Sequence, residues 1–466
     1  MESCRLRSVK RRLCAGRAGG SRGAMTAVLI AVLALLAACG GSRKSAWDAH
    51  SAAGEAALAK GAYQEAEKEF RAALEEAEGF GEQDQKFATS LNNLAVAYNR
   101  QGKYADAEPL LTRASAITEK LLGPEHPDLA SNLNNLANIY LAQGKLQQAA
   151  DASKRSLSIR EKVLGRDSIE TAASAYVFAE ILRAGGKFDE AEALYKQALE
   201  IRTRKLGPDH KDVATVLAGL GALDLARGRM KDAEPFLAQA AEIREKTFGP
   251  NSPELALTLM NLAEVYRMQE KYTQAEPLFR RALAIEEKTA DSEKQDLSGL
   301  LMRLGDTERA LENLKEAESL FKRAVDNVEK NRGPQDPGLM LPLNSLATAY
   351  GLEGRYADAQ PLLERALKIS EKTFGPDHPV VAARLNNLAM AYASDGKYAQ
   401  AEPLYKRSIA TAEKSLGPNH IDLAGYLQNY AALLRQMGKT AEARVNEARA
   451  KQIEARDAQA RQAGKG

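Results

Sequence analysis

Histidines, cysteines and clustered carboxylates are the side chains that could carry catalysis or hold a metal, and their placement in this 466-residue chain argues against both. His126, His210, His378 and His420 occupy one slot of a 42-residue period, and His50 lies far from them. Equivalent atoms of adjacent repeats stand about 10 Å apart or more when packed helices intervene, whereas a metal draws its ligands to within about 2 Å. These histidines are therefore expected to punctuate loops. Cys4, Cys14 and Cys39 all precede residue 40, so the body of the chain has no thiol for a disulfide, a metal or a nucleophile. No G-x-x-x-x-G-K-[ST], H-E-x-x-H or G-x-S-x-G sequence occurs, so phosphate-loop, zincin and serine-hydrolase chemistry lack their minimum parts. Carboxylates fall in runs such as Glu242-Ile243-Arg244-Glu245-Lys246, which read as solvated helix faces. We expect no enzyme, cofactor, metal or small-molecule substrate.

Two other sets of residues suit recognition. Asn92-Asn93, Asn134-Asn135, Asn261, Asn344, Asn386-Asn387 and Asn429 recur in register. A carboxamide both donates and accepts, so a ladder of them can satisfy a peptide backbone whatever its sequence. The alternative is that these side chains bond the neighbouring helix. Arg183, Arg267, Arg309 and Arg435 form a second row, able to clamp carboxylates. Against that, Glu180, Glu264 and Asp306 sit three residues before the first three arginines, the spacing of intrahelical pairs.

The elements that position these residues follow from the period. Leu94, Leu136, Phe178, Leu220, Leu262, Leu304, Leu346, Leu388 and Tyr430 are each 42 residues apart, and a degenerate copy near Ala53 makes about ten. The residue after each of these markers is Ala or Gly. The thirteenth is always Ala, from Ala107 to Ala443, and the twentieth is Ala or Ser. Small residues at fixed intervals are needed where two helices cross closely. Gln101-Gly102-Lys103-Tyr104 and its equivalents supply a turn, and Gly123-Pro124-Glu125-His126-Pro127 and its equivalents a stop. Each unit is thus predicted to be a helical hairpin.

The 42-residue unit, with N-N-L-A-x-x-Y, Q-G-K-Y and A-E-P-L, resembles the tetratricopeptide repeat in the form found in kinesin light chains and their bacterial relatives. The resemblance spans roughly residues 45 to 455 and implies an all-α, right-handed solenoid. It further implies that stacked first helices line a concave groove for a protein or extended peptide, with the Asn and Arg rows facing it. Two copies depart from the pattern: Tyr176-Val177-Phe178 replaces Asn-Asn-Leu, and Asp291-Ser292-Glu293-Lys294 replaces the Gly-Pro loop. Irregular stacking is expected at both.

Before the repeats, Ala27–Ala38 is an apolar run behind a basic stretch, too short to span a bilayer where about 20 residues are needed. It ends in Leu36-Ala37-Ala38-Cys39-Gly40, which resembles the lipobox of bacterial lipoproteins. That resemblance implies cleavage, lipidation of Cys39 and, since Gly40 rather than Asp follows, sorting to the outer membrane. The expected organisation is a signal peptide over 1–38, a tether over 39–46, the solenoid over 47–440 and a charged capping helix and tail over 441–466. The leader carries seven basic residues against Glu2, so the net charge of +3 resides there and the remainder is mildly acidic. Nucleic acid is an unsuitable partner for it. The expectation is a scaffold tethered to the bacterial envelope by lipid, with a soluble cargo-adaptor-like protein as the alternative.

Overall fold

The computed structural model describes residues 46–288 and 296–463, and among them only helices form. The signal peptide, Cys39 and the Asp291–Lys294 segment lie outside the described residues. The chain divides into two compact units at Gly207–Pro208. Unit 1 contains α1 (residues 46–59), α2 (Tyr63–Glu78), α3 (Gln85–Arg100), α4 (Tyr104–Leu122), α5 (Pro127–Ala142), α6 (Leu146–Leu164), α7 (Ile169–Ala184) and α8 (Phe188–Leu206). Unit 2 contains α9 (Lys211–Ala226), α10 (Met230–Phe248), α11 (Pro253–Met268), α12 (Tyr272–Glu286), α13 (Ser298–Ala310) and α14 (Leu314–Arg332). It continues through a 3₁₀ turn (Pro337–Leu339) to α15 (Met340–Leu352), α16 (Tyr356–Phe374), α17 (Pro379–Ser394), α18 (Tyr398–Leu416), α19 (Ile421–Gln436) and α20 (Thr440–Ala463). Odd-numbered helices are the first of each hairpin and even-numbered helices the second.

The period acts through local chemistry. Gly102, Gly144 and Gly396 take φ near +73°, which lets the chain reverse after the first helix. The amide of the following Lys then bonds back to the helix, as from Lys103 to the Tyr98 carbonyl at 2.9 Å. Glu270 and Glu312 stand where the other turns have Gly and adopt the same left-handed conformation, a strained choice for a residue with a Cβ. The always-Ala position is fully buried in every hairpin from Ala107 to Ala443, where second helix meets first. At the Ala-or-Ser position, Ser156 and Ser408 are also fully buried, each donating its hydroxyl to a first-helix carbonyl at 2.7 Å.

The histidine slot is the N-cap of the next first helix. His126, His210, His378 and His420 each accept at Nδ1 from the backbone N–H two residues on, at 3.1–3.3 Å. Ser168, Ser252, Asp84 and Asp336 do the same work at the same slot. Replacing His420 with Ala should therefore cost about 1 kcal/mol in urea unfolding, while Ser at that position should restore the wild-type midpoint.

The hairpin containing Phe178 is not irregular in the way its sequence suggests: α7 and α8 have 16 and 19 residues, as do their neighbours α5 and α6. The difference is in packing: Phe178 is only half-buried, where Leu94, Leu136 and Leu220 at the same slot are buried. Beside the Asp291–Lys294 segment the helices are shorter, with 15 residues in α12 and 13 in α13. The charged C-terminal segment forms α20, the second helix of the tenth hairpin, buried through Ala443, Ala450 and Ile453.

Each unit is also stitched along its second helices. Lys145 on the α5–α6 turn reaches Glu108 on α4 at 2.7 Å, and Lys439 reaches Glu402 at 2.9 Å. About three turns further along, Arg155 pairs with Glu119, Arg281 with Glu245, and Arg407 with Glu371, at 2.5–2.7 Å. These pairs are partly exposed, so each adds modest stability. Their repetition matters more for holding register between hairpins.

Candidate functional site

The Asn pairs lie on the first helices, two and one residues before the marker, and they bond from one hairpin to the next. In unit 1, Asn135 Nδ2 donates to Asn92 Oδ1 at 2.8 Å. In unit 2, Asn387 donates to Asn344 at 2.7 Å and Asn429 to Asn386 at 3.1 Å. The later Asn of one pair thus always donates to the earlier Asn of the pair before it. Asn93 accepts from its neighbour Asn92 at 3.3 Å. Asn261 is half-buried beside Met260, which occupies the earlier slot of its pair. Asn134 shows what happens when the rule fails. Val177 stands where the next donor belongs, and the buried Asn134 Oδ1 accepts no hydrogen bond.

The arginine row is occupied by acids. Arg183 bonds Glu180 at 2.7 Å, and Glu180 also accepts the Tyr195 hydroxyl at 2.5 Å. Burial works against the charge of Arg183, but the Glu180 carboxylate outweighs it and raises the arginine pKa. Arg267 makes a bidentate pair with Glu264 at 2.6 and 2.9 Å, and Arg303 approaches the same carboxylate at 3.0 Å. Burial raises the pKa of Glu264, yet these two arginines hold it below its ordinary value. Arg309 pairs more loosely with Asp306 at 3.3 Å. Arg435, the one without an acid three residues before it, is held instead by Glu447 on α20 at 2.7 and 2.8 Å. An acidic ligand at this row would have to displace an internal partner.

Three buried arginines escape a reading of sequence alone. Arg160, Arg202 and Arg244 share one slot on α6, α8 and α10 and are over 90% buried. Arg244 therefore does not belong to a solvated face, as its sequence neighbours suggest. Arg160 Nη1 donates to the Glu170 carbonyl at 2.8 Å and Ser174 Oγ at 3.0 Å, and Arg244 repeats this with the Glu254 carbonyl at 2.8 Å and Thr258 Oγ1 at 2.5 Å. The 42-residue recurrence was the available signal. Their role is to tie a second helix to the start of the next first helix.

A second missed feature lies on the same face of unit 2. A cavity of about 270 Å³ opens between α15, α16 and α17. Its floor is Ala347, Ala359, Leu363 and Ala391, and its rim carries Leu352 and Met390, with Asn344 and Asn387 at the mouth. Gly351 and Ala393 occupy the row that carries arginine in other hairpins, and Gly351 lines the cavity. Among the described residues, no cluster of three His, Cys, Asp or Glu side chains can hold a metal, and no helix is long and apolar enough to cross a membrane.

Stacked helical hairpins with a polar, internally bonded first-helix face define a repeat protein built for interaction. The chain belongs to the tetratricopeptide repeat family: that family's model matches residues 86–162, 133–204, 170–246, 212–288, 296–372, 340–414 and 381–453. No curated protein matches its sequence. Similar solved structures include a putative kinesin light chain with nearly identical TPR-like repeats from Podosopora anserina, 27% identical over 44% of this chain and 98% of that one, with a TM-score of 0.37. BtubC from P. vanneervenii is 24% identical over 52% of this chain and 90% of its own, with a TM-score of 0.39. The signal transduction ATPase with a tetratricopeptide repeat sensor from Pyrococcus horikoshii shares the fold at 16% identity, over 78% of this chain and 52% of that one, with a TM-score of 0.56.

Proposed function

We propose that the protein is a binding scaffold, held on a bacterial membrane through lipid on Cys39, whose first-helix face holds a protein or extended peptide. The observation that carries this reading is the row of carboxamides along that face. Each rung uses one donor and one acceptor, while a carboxamide has two of each kind of site. Asn344 accepts from Asn387, and among the described residues no acceptor meets its side-chain N–H groups, whereas Asn92 and Asn386 donate to the next Asn of their own pairs. The free groups match the N–H and C=O of an extended backbone. Partner class follows from this pairing chemistry, and the Arg row serves mainly to brace the face.

Tethering rests on the leader and on Leu36-Ala37-Ala38-Cys39. Gly40 favours the outer membrane, where the scaffold would support assembly of an envelope complex. In a bacterial host, inhibiting lipoprotein signal peptidase should accumulate a precursor, and Cys39→Ser should move the protein from the membrane to the soluble fraction. Unchanged size and fractionation would instead favour a soluble cargo-adaptor-like protein.

A further inference from the structure

We infer that the cavity beside Gly351 is the specificity pocket of the first-helix face, and that it takes one uncharged apolar side chain of an extended partner peptide. The inference rests on the peptide-binding reading and adds what is read and where. The row five residues after each marker normally carries a side chain over this face: Arg309 in the preceding hairpin, Arg435 two hairpins on, Leu225 in an earlier one. At Gly351 that side chain is absent and at Ala393 it is cut to a methyl group. The glycine is not required by its backbone or by crowding. It lies within α15 at ordinary helical φ, and a Cβ built on it would meet nothing within 4 Å. Glycine inside a helix costs roughly 0.5–1 kcal/mol relative to alanine. Here that cost opens space.

Chemistry of the walls limits the guest. No charged residue lines the cavity, so a charged side chain would be desolvated without a partner. Leu352 and Met390 on the rim are 58% and 44% exposed, and covering them would release apolar surface from water. At about 270 Å³ the space falls below the range of about 300–1,000 Å³ usual for whole small ligands and suits a single Leu-, Met- or Phe-sized side chain. The Asn344–Asn387 rung stands at the mouth, placed to bond the peptide groups on either side of that residue. An extended peptide is therefore the occupant that uses both parts of the site.

The test uses the chain from Gly40 onward, without the leader and Cys39, and a displayed library of random 12-residue peptides. Selected peptides are labelled with fluorescein and titrated by anisotropy against wild type, Gly351→Leu and Asn344→Ala/Asn387→Ala. Gly351→Leu fills the cavity while improving helix propensity, so its thermal midpoint should be no lower than that of wild type. The expected result is that one apolar peptide residue, replaced by Ala, weakens binding about tenfold or more. Gly351→Leu should weaken binding equally and make that Ala replacement neutral. Full affinity for Gly351→Leu together with a loss for the double Asn variant would overturn the pocket and leave the face as a binding surface. Enriched peptides insensitive to both variants, or no enrichment at all, would overturn both readings.

Discussion

Arg280→Ala is expected to destabilise unit 2 by about 3 kcal/mol, the largest effect we anticipate from a single substitution. Arg280 on α12 donates to the Glu308 carboxylate on α13 at 2.5 Å. The Glu308 side chain is only 2% exposed, and its other oxygen accepts from Asn313 at 2.8 Å. Removing the guanidinium leaves a desolvated carboxylate with one neutral donor, which costs about 3–5 kcal/mol at buried sites. The lower end applies because Arg280 itself is half exposed and water can enter where it stood. At the slot of Glu308, Tyr98, Tyr140, Tyr266, Tyr350 and Tyr392 stand in other hairpins. Arg280→Ala combined with Glu308→Tyr should therefore regain most of the loss. Urea unfolding of the three proteins decides the matter: a loss under about 0.5 kcal/mol for Arg280→Ala would mean that Glu308 is already hydrated.

In unit 1 the corresponding expectation is a gain. Val177→Asn should stabilise the fold by about 1–2 kcal/mol, because it supplies the donor that Asn134 Oδ1 lacks. Val177 is half-buried at the edge of the apolar cluster that contains Leu133 and Ile181, so the packing it gives up offsets part of the gain. The same substitution in an Asn134→Leu background should give no gain, and an equal gain there would show that the rung had not formed.

These two sites mark how far the sequence could be read. The hairpins were legible because their signals are local: a Gly that permits left-handed φ, a Gly-Pro stop, and Ala wherever helices touch. About ten helical hairpins follow from the spacing, and the all-α solenoid from the resemblance that their motifs carry. Side-chain partners were less legible because they depend on the adjoining repeat. Asn92 and Asn134 occupy one slot, yet Asn135 satisfies the first and Val177 orphans the second. Glu180, Glu264 and Asp306 were visible as partners of their arginines because three residues make one helical turn, whereas Glu447 reaches Arg435 only across a hairpin. The burial of Arg160, Arg202 and Arg244 ran against the ordinary expectation for charged residues in a polar helix, and only the shared slot hinted at it. The cavity at Gly351 is a missing side chain, a signal that emerges only when the rows are aligned.

The stitches along the second helices bear on how such a chain can change in length. Each joins residues 36 or 37 apart, as in Lys103–Glu67, Lys145–Glu108 and Arg155–Glu119. Duplicating one 42-residue stretch of the gene within either unit would deliver a hairpin whose cations find the preceding acids and whose acids await the following cations. An in-frame insertion of any other length in a helix would strand both, and would turn the apolar seam away from its neighbour. The molecule is therefore built to grow or shrink by whole copies, with each new hairpin accepted by the one before it on arrival.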